Sequence, residues 1–499
     1  MQPNVHTSLE RATPWLAALA VAVLYAATAS VDFGGVSADT GNYVLGTVDF
    51  DPAAARPHLP GSWLLIVMLR GLAPLFGAHG ALLAVAVACA AGAAGLGYRV
   101  AREYFRPGTA WLLVAAVATQ PVSWFYGTVA EVYAFDLFFG VLTMWMGSSR
   151  RGLVILPLVF ALGAGLRLTT PALLLPLYLW LWWRGRGWWS VRSMVVAHVV
   201  ALPVLVGVMW PNFTAAGGLT AYLSLYESHL TVSWSLVRNL WGMSLFLATV
   251  AGTVLVLAVA GLRFRARGSV DHRLPVWLLP PLAFFVLGHY QKGYILLVMV
   301  PLLILSVARI APVRRRLVLT ILVILQTTWF LAAPYRAPDP DVLAAPRTRS
   351  LTWPGVWWQR VQSTHLMAAA RPRALAAADA DLTGILAAAP GDTLLVDPTF
   401  PLTLRALQIH HESRAFAGLE VERRDGWRLH SGLEESTGTN VAHLLARCIL
   451  VTRRDFAGTG LDTSGAVVVH AGQEYIGLRL DPRRTASVAI FYDERYGRY

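Results

Sequence analysis

A polar loop follows the first apolar segment of the chain and carries residues suited to acid–base chemistry. Asp39, Asp49, Asp51 and His58 lie in this loop among glycines and prolines. Ionisable groups are costly near a bilayer and mark functional sites there. A solvated loop in which Asp and Pro only form turns explains the same composition. The loop is therefore a candidate site whose meaning depends on the rest of the chain.

Four further ionisable residues are predicted to meet this loop, although they are far apart in sequence: Glu131, Arg167, His289 and Lys292. Lys292 is the only lysine among the 41 lysine and arginine residues. An ammonium group binds phosphate as a compact point charge, whereas a guanidinium group presents a planar fork. The alternative is an interfacial lysine whose ammonium group snorkels to water.

Two carboxylates and several cationic groups on one side of a membrane fit group transfer from an anionic, lipid-linked donor. A polyprenyl phosphate leaves readily when lysine, arginine or a metal ion neutralises its charge. The incoming hydroxyl needs a base, and one carboxylate is sufficient. A donor tail in the bilayer and an acceptor in the aqueous phase would place such a site at the interface.

The composition is that of a polytopic α-helical membrane protein. Of the 499 residues, 56% are hydrophobic and only 14% are charged, whereas about a quarter are charged in soluble proteins. About eleven apolar runs of spanning length begin near residues 14, 80, 109, 128, 152, 169, 193, 237, 274, 293 and 317. The sequence therefore predicts a transmembrane domain at residues 1–333, a linker at 334–354 and a soluble C-terminal domain at 355–499.

Loops rich in arginine alternate with loops that contain almost none. The basic loops lie near residues 99–106, 150–151, 184–192, 263–273 and 309–316. By the positive-inside rule, these loops and the N-terminus face the cytoplasm of a bacterial inner or plasma membrane. The first outer loop, at residues 32–77, and the C-terminal domain then face the periplasm or exterior. The net charge of +13 comes largely from the arginines in the basic loops. We therefore expect no nucleic-acid partner.

Two segments near the predicted outer face, residues 61–76 and 212–235, are expected to lie in the interface as helices and not to span it. The two cysteines, Cys89 and Cys448, are predicted not to meet, so no disulfide framework is available. The sequence contains no zinc, phosphate-loop or dinucleotide-binding motif.

Several of these segments resemble a known superfamily. Asp39 followed by HLPG at residues 58–61 is similar to the first outer loop of GT-C glycosyltransferases, where an acidic residue precedes an HPPG-like element. PVSWFYGTVAEVYAFDLFF from Pro121 resembles the AEVYAL segment of the branch related to protein O-mannosyltransferases. GLRLTTPALLLP from Gly165 and QKGYILLVMVPLL from Gln291 resemble later helices of the superfamily.

The resemblance covers roughly residues 14–333 and implies a GT-C-like membrane fold with a polyprenyl-phosphate-sugar donor. It implies that Asp39 is the catalytic or metal-associated carboxylate and that Glu131 is a second acidic group near the acceptor or its positioning network. The remaining assignments are donor-phosphate binding for Lys292, Arg167 and His289, and loop or acceptor positioning for His58, Asp49, Asp51 and Tyr133.

Three features of the first outer loop depart from the superfamily pattern, and the first is that no clear Asp-Glu doublet follows the first helix. The loop reads HLPG where HPPG is expected, and DFDPAAARP is inserted before His58. These departures leave open whether Asp39, Asp49 or Asp51 is the base. A divalent metal ion at Asp39 also stays open, because the superfamily contains members with and without such an ion.

The C-terminal region has the pattern of an α/β domain. Strands are predicted near residues 393–397, 414–418, 448–452, 466–470 and 487–492. Helices are predicted near residues 379–389, 401–409 and 437–446. Acceptor recognition and a packing role both explain such a domain.

The combined prediction is inverting sugar transfer from a polyprenyl-phosphate donor to a protein, glycan or lipid acceptor on the outer face of the membrane. A transporter or flippase of lipid-linked or anionic solutes is the main alternative. Transporters typically place charges at mid-membrane on broken helices of repeated halves. Here the charges gather at the outer ends and no internal repeat is evident, which favours the enzyme. A non-catalytic membrane scaffold is a third interpretation.

Overall fold

The computed structural model describes most of the membrane region and parts of the C-terminal region. The described residues are 8–29, 38–53, 56–188, 190–233, 236–263, 271–288, 293–335, 354–361, 367–388, 393–396, 416–420, 448–454, 465–473, 475–479 and 489–492. Two of the three predicted phosphate contacts, Lys292 and His289, lie outside these ranges, as do the helices predicted at 401–409 and 437–446.

The N-terminal two thirds of the described chain is helical. Its helices are α1 Ser8–Thr28, α2 Ala38–Val48, α3 Trp63–Arg102, α4 Pro107–Ala118, α5 Pro121–Gly127, α6 Tyr133–Gly147, α7 Arg150–Arg167, α8 Thr169–Arg184, α9 Val191–Ala215, α10 Leu219–Ser233, α11 Leu236–Arg263, α12 Arg273–Leu287, α13 Leu296–Ala308 and α14 Pro312–Ala332. A helix coincides with each of the predicted apolar runs. Helices α3, α9 and α14 are long and apolar enough to cross a membrane, and several shorter apolar helices accompany them. The number of spans stays a prediction.

Helix α3 is the element against which the helices on either side of the site pack. Gly95 lies so close to α1 that a Cβ atom there would approach the Pro14 carbonyl oxygen to 2.9 Å. On α6, the Phe138 ring lies so close to Gly92 that a Cβ atom on Gly92 would approach the ring to 2.8 Å. Small residues let helix backbones approach closely where lipid supplies no hydrophobic driving force. This packing fixes the helix before the Asp39 segment and the helix after Glu131.

Residues 61–76, predicted to form a separate interfacial helix, are separated from the rest of α3 by a bend. Gly77 has φ 70° and ψ 162° inside the helix, so the α-helical path is interrupted there. Arg70 on the first half donates hydrogen bonds to the carbonyls of Thr47 (2.8 Å) and Gly46 (3.2 Å). An arginine at the carbonyl end of a helix is favourable, so this first half holds the end of α2.

The segment expected to be an irregular loop around Asp39 contains helix α2. Thr40 and Tyr43 are buried at a spacing of three residues, which places them on one helical face. Asp39 lies in the first turn, where a carboxylate interacts favourably with the helix dipole. Because this face is buried, the segment forms a helix held at a fixed position and not the irregular loop that was predicted.

After α2, the HLPG turn packs onto two later helices. The Tyr222 hydroxyl of α10 donates a hydrogen bond of 2.8 Å to the Pro60 carbonyl. Tyr222 is buried with Leu59 and Ala216. The helix predicted within residues 212–235 is thus present as α10, and it supports the turn that carries His58.

The C-terminal region contains a mixed sheet whose described strands are β1 Thr393–Val396, β2 Phe416–Glu420, β3 Cys448–Arg453, β4 Val467–Ala471, β5 Tyr475–Arg479 and β6 Ala489–Tyr492. Their order is β4-β5-β3-β1-β2-β6. Strand β1 runs parallel to β2 and β3, and the outer pairs are antiparallel. Five strands overlap predicted ones, whereas β5 was not predicted. The division of the chain into domains stays a prediction.

Helix α16 (Ala370–Ala388) packs against β4 and β5. The Asp381 carboxylate on this helix accepts hydrogen bonds from the backbone N–H groups of Gln473 (3.1 Å) and Tyr475 (3.0 Å). These bonds fix the turn between the two strands to the helix. Helix α15 (Pro354–Arg360) precedes it, and its Trp357 indole donates to the Ser244 hydroxyl of α11 at 3.2 Å.

We predict that Gly61→Ala destabilises the protein more than Gly77→Ala. Both glycines have positive φ, 77° and 70°, so alanine is strained at each position. At position 61 the new Cβ atom would also collide with Asn212, because it would lie 2.1 Å from the Asn212 Oδ1 atom. At position 77 no atom lies within 4 Å of the new Cβ. Overpacking adds about 1–3 kcal/mol. Thermal unfolding in detergent measures the difference, and equal Tm values for the two variants would contradict this packing of the HLPG turn.

Candidate functional site

Asp39 and His58 are brought together by helix α2 and the HLPG turn. The Asp39 Oδ1 atom lies 3.6 Å from His58 Nδ1, and both side chains are partly exposed, at 30% and 26%. This distance suits an ion pair but is longer than a good hydrogen bond. The Tyr43 ring meets the His58 ring edge-on at 5.4 Å. A partly exposed carboxylate beside an imidazole can exchange protons with a bound molecule.

Glu131 approaches the same helix from the turn before α6, but it is buried. Glu131 is only 2% exposed. The Thr40 hydroxyl lies 3.1 Å from Glu131 Oε1 and 2.9 Å from the Ala130 carbonyl oxygen. Thr40 follows Asp39 in sequence, so one turn of α2 supplies the accessible carboxylate and the contact to the buried one.

Arg167, at the end of α7, is held by a carboxylate and two aromatic rings. Its Nε atom lies 3.1 Å from Asp136 Oδ1, and both side chains are at least nine-tenths buried. Its guanidinium carbon lies 4.7 Å from the Tyr133 ring centroid and 5.4 Å from that of Tyr294. The Thr170 hydroxyl donates a further hydrogen bond to Asp136. A buried cation is thereby fixed in orientation by α6, α7, α8 and the residues before α13.

Sequence reasoning missed Asp136, although a signal was available. This residue lies in the first turn of apolar helix α6. Carboxylates in such helices are usually paired with another ionisable group of the bundle. Arg167, already singled out at the end of another apolar helix, was an available cation, so the pairing rule could have joined the two.

Tyr43 lies among three of the predicted site residues. Burial raises the pKa of its phenol above the usual range, the Arg167 charge lowers it, and the charges of Asp39 and Glu131 raise it further. Such effects require these groups to be near the phenol, because charge interactions weaken with distance. Tyr43 also contacts His58 beside Asp39, and Thr40 contacts Glu131, so these contacts and the charge effects together place Asp39, Glu131 and Arg167 around Tyr43.

An apolar groove of about 490 Å³ reaches this place. Its walls come from α3, α6 and α7, and its apolar lining is formed by Leu65, Met68, Leu72, Leu82, Ala84, Val85, Ala86, Ala88, Cys89, Val132, Phe135, Phe138 and Leu166. Of the described residues that line it, Glu131 and Arg167 are the charged ones. Ala88 is exposed, so the groove opens at the surface of the helix bundle. Its shape and polarity suit an apolar chain that ends in an anionic group.

Asp49 and Asp51, the alternative bases, form a short hairpin with Arg56. The Arg56 guanidinium lies 3.1 Å from Asp49, whose side chain is 63% exposed. Asp51 exchanges both backbone hydrogen bonds with Arg56, at 2.7 and 2.8 Å, and its carboxylate accepts from the Ala53 N–H. These contacts are those of turn-forming residues, which the sequence had also allowed.

Of the other predicted site residues, Tyr133 lies at the site, whereas His289 and Lys292 lie outside the described residues. Tyr133 contacts Arg167 and lies against Gly293, where a Cβ atom would come within 2.0 Å of its ring. Lys292 precedes Gly293 in the sequence. Within the ranges that the structure describes, no group of three or more His, Cys, Asp and Glu side chains could hold a metal ion.

Comparisons with known proteins identify the fold. No protein-family model and no curated protein matches the sequence. Two crystal structures of ArnT from Cupriavidus metallidurans are similar: the apo state, at 16% identity and TM-score 0.53, and the complex with undecaprenyl phosphate, at 15% and 0.54. Each match covers 94% of this chain and 98% of the other. The chain therefore has an ArnT-like fold, and neither match supports the O-mannosyltransferase branch expected from the sequence.

We predict that Asp136→Asn lowers the thermal stability far more than Asp271→Asn. Losing one partner of a buried ion pair leaves an uncompensated charge and costs about 3–5 kcal/mol. Asp271 pairs with Arg273 at 2.6 Å, but Glu103 also pairs with that arginine at 2.9 Å, so its charge stays compensated. The double variant Asp136→Asn, Arg167→Gln should regain part of the lost Tm. Equal Tm losses for the two single variants would contradict the buried pair.

Proposed function

We propose that this protein is an integral-membrane glycosyltransferase of the GT-C type, which transfers a sugar from a polyprenyl-phosphate carrier to an acceptor hydroxyl. The observation that carries the proposal is the apolar groove with Glu131 and Arg167 in its lining, close to the accessible carboxylate of Asp39. The ArnT-like fold supports it, because one of the matched ArnT structures contains undecaprenyl phosphate.

In this proposal the prenyl chain lies in the groove and the phosphate lies at Arg167. Arg167 contacts Asp136 through Nε, so we assign its two terminal amino groups to the donor phosphate, which suits a guanidinium fork. We also assign Lys292 and His289 to this phosphate. Neutralising the phosphate makes it a better leaving group and stabilises charge that develops in the transition state.

Asp39 is the proposed base. The acceptor hydroxyl oxygen forms a bond to the anomeric carbon while the bond from that carbon to the phosphate oxygen breaks. The carrier phosphate keeps the electron pair of the broken bond, and the hydroxyl proton passes to Asp39. Direct displacement of this kind inverts the anomeric configuration. His58, 3.6 Å from Asp39, is placed to stabilise the carboxylate when it is charged.

Glu131 has a separate role in this account. Because it is buried and lies within hydrogen-bond distance of Thr40, it is less accessible to an acceptor than Asp39. We assign it to positioning: it contacts the residue next to the base and lines the groove near Arg167. Tyr133, stacked on Arg167, positions the cation. On the predicted topology this site lies on the outer face of a bacterial inner membrane, where the acceptor is a protein, glycan or lipid.

We predict that Asp39→Asn lowers kcat for sugar transfer by about 10²- to 10⁴-fold, the range contributed by a general base. Asp49→Asn is the matched control, since the same change at an exposed residue removes an ion pair with Arg56 and leaves the proposed base in place. Release of radiolabelled sugar from a panel of polyprenyl-phosphate sugars measures both variants. Loss in Asp49→Asn with normal turnover in Asp39→Asn would reassign the base.

The same assay separates the enzyme from a transporter or flippase of lipid-linked solutes. A transporter moves its substrate intact, so it binds the donor but releases no sugar. Binding of every donor in the panel without sugar release by the wild-type protein would therefore favour transport.

We predict that Ala84→Trp obstructs the groove and raises the KM for a long-chain carrier. Ala84 lines the groove and is only partly exposed, so an indole would occupy space assigned to the prenyl chain. Ala20→Trp on α1 is the control, because Ala20 is exposed and lies outside the groove lining. A donor with a short prenyl chain should be less affected. An unchanged KM in Ala84→Trp, with the protein folded, would contradict the groove as the carrier site.

A further inference from the structure

Arg371, in the first turn of α16, is a buried cation without a counter-ion among the described residues. The residue is 7% exposed, and its Nε atom is inaccessible to solvent and has no hydrogen-bond partner. No described carboxylate lies within salt-bridge distance of it. Its guanidinium carbon lies 5.3 Å from the centroid of the Phe125 ring.

Among the residues that the structure describes, no anion offsets the cost of burying this charge. An arginine stays protonated in proteins, and an isolated buried charge carries a penalty of several kcal/mol. A cation–π contact stabilises a buried cation by only about 0.5–2 kcal/mol. The contact with Phe125 therefore does not compensate the burial of Arg371, and an anionic ligand would.

The position of Arg371 is fixed by the residues around it. Just before it, the Ala369 N–H donates a hydrogen bond of 2.9 Å to the Phe330 carbonyl at the end of α14. Met367 is 2% exposed and belongs to the core of the membrane region. The Phe330 ring stacks on Trp124 of α5, with centroids 4.4 Å apart. The start of α16 is thus attached to α5 and α14.

A row of aromatic rings connects Arg371 with the candidate site. The Phe125 ring meets Tyr126 at 5.3 Å, and Tyr126 meets Tyr133 at 4.7 Å. Tyr133 lies under Arg167. Burial raises the pKa of the Tyr126 phenol. The charges of Glu131 and Asp39 raise this pKa further, and those of Arg371 and Arg167 lower it. Arg371 is therefore near the site.

Arg371 is not among the residues that line the groove, and neither are Phe125, Tyr126 and Tyr133. These rings lie between Arg371 and Arg167 in the row of contacts. An anion at Arg371 would therefore be separate from the carrier phosphate proposed at Arg167. Arg371 belongs to the C-terminal region, which the predicted topology places in the aqueous phase from which an acceptor arrives.

We propose that Arg371 forms a second anion site, at the junction of the C-terminal and membrane regions, which binds a phosphate or carboxylate group of the acceptor. The guanidinium fork suits a planar or bidentate anion of this kind. The assignment to the acceptor rests on the proposed function, whereas the anion site itself does not. The C-terminal region then selects acceptors that carry a negative group beside the reacting hydroxyl.

The first test is thermal unfolding of the full-length protein in detergent, titrated with inorganic phosphate. Arg371→Met keeps a long side chain and removes the charge, and Arg373→Met is the control because Arg373 is exposed on the same helix. Without phosphate, Arg371→Met should have a higher Tm than the wild type, since it removes a buried charge that no described carboxylate compensates. Phosphate should raise the Tm of the wild type and Arg373→Met but not that of Arg371→Met. A lower Tm for Arg371→Met with an unchanged phosphate shift would show a structural role and overturn the anion site.

The second test uses sugar transfer and separates the two sources of the anion. Release of sugar from the donor to water, without acceptor, should be the same in Arg371→Met and wild type, whereas the acceptor KM should rise at least tenfold for an anionic acceptor. Equal loss of both activities would assign Arg371 to the carrier phosphate and overturn the acceptor assignment. No sugar release by the wild type would instead refute the proposed enzyme, while the phosphate titration would still decide the anion site.

Discussion

The buried ion pair between Arg167 and Asp136 is the interaction on which the arrangement of the site depends. A guanidinium group remains in the apolar interior only because Asp136 compensates its charge and the rings of Tyr133 and Tyr294 cover its faces. The hydrogen bond from Thr170 to Asp136 adds a contact from α8. Three helices are thus held around one cation, and the lining of the groove acquires its positive charge at a fixed position.

The two acidic groups have different environments although they meet at the same turn of α2. Asp39 is partly exposed beside His58, whereas Glu131 is buried and contacts Thr40. A base must reach the acceptor, and a positioning group benefits from burial, so these environments match the proposed roles. Close packing of α1 and α6 on α3 through glycines keeps both segments near the groove.

Much of the fold follows from the sequence because long apolar runs have few alternatives to helices in a membrane. The sequence also predicted that Asp39 and His58 face the same side of the membrane, because both lie in one predicted outer loop. Helix α2 was missed because its stability comes from tertiary burial of Tyr43 and not from a long periodic pattern. Asp136 and Arg371 were missed for a related reason: their significance depends on which residues distant in sequence surround them. Asp49 and Asp51 looked equivalent to Asp39 until their hairpin contacts with Arg56 were visible.

An experimental structure of the protein with a polyprenyl phosphate bound would show directly whether the carrier occupies the groove beside Arg167. This account predicts density for the prenyl chain along Leu65, Leu82 and Phe138, with the phosphate in contact with the terminal amino groups of Arg167. The phosphate should also face the side of the site that contains Asp39. A lipid bound elsewhere on the bundle, with the groove empty and Arg167 distant from the phosphate, would contradict it.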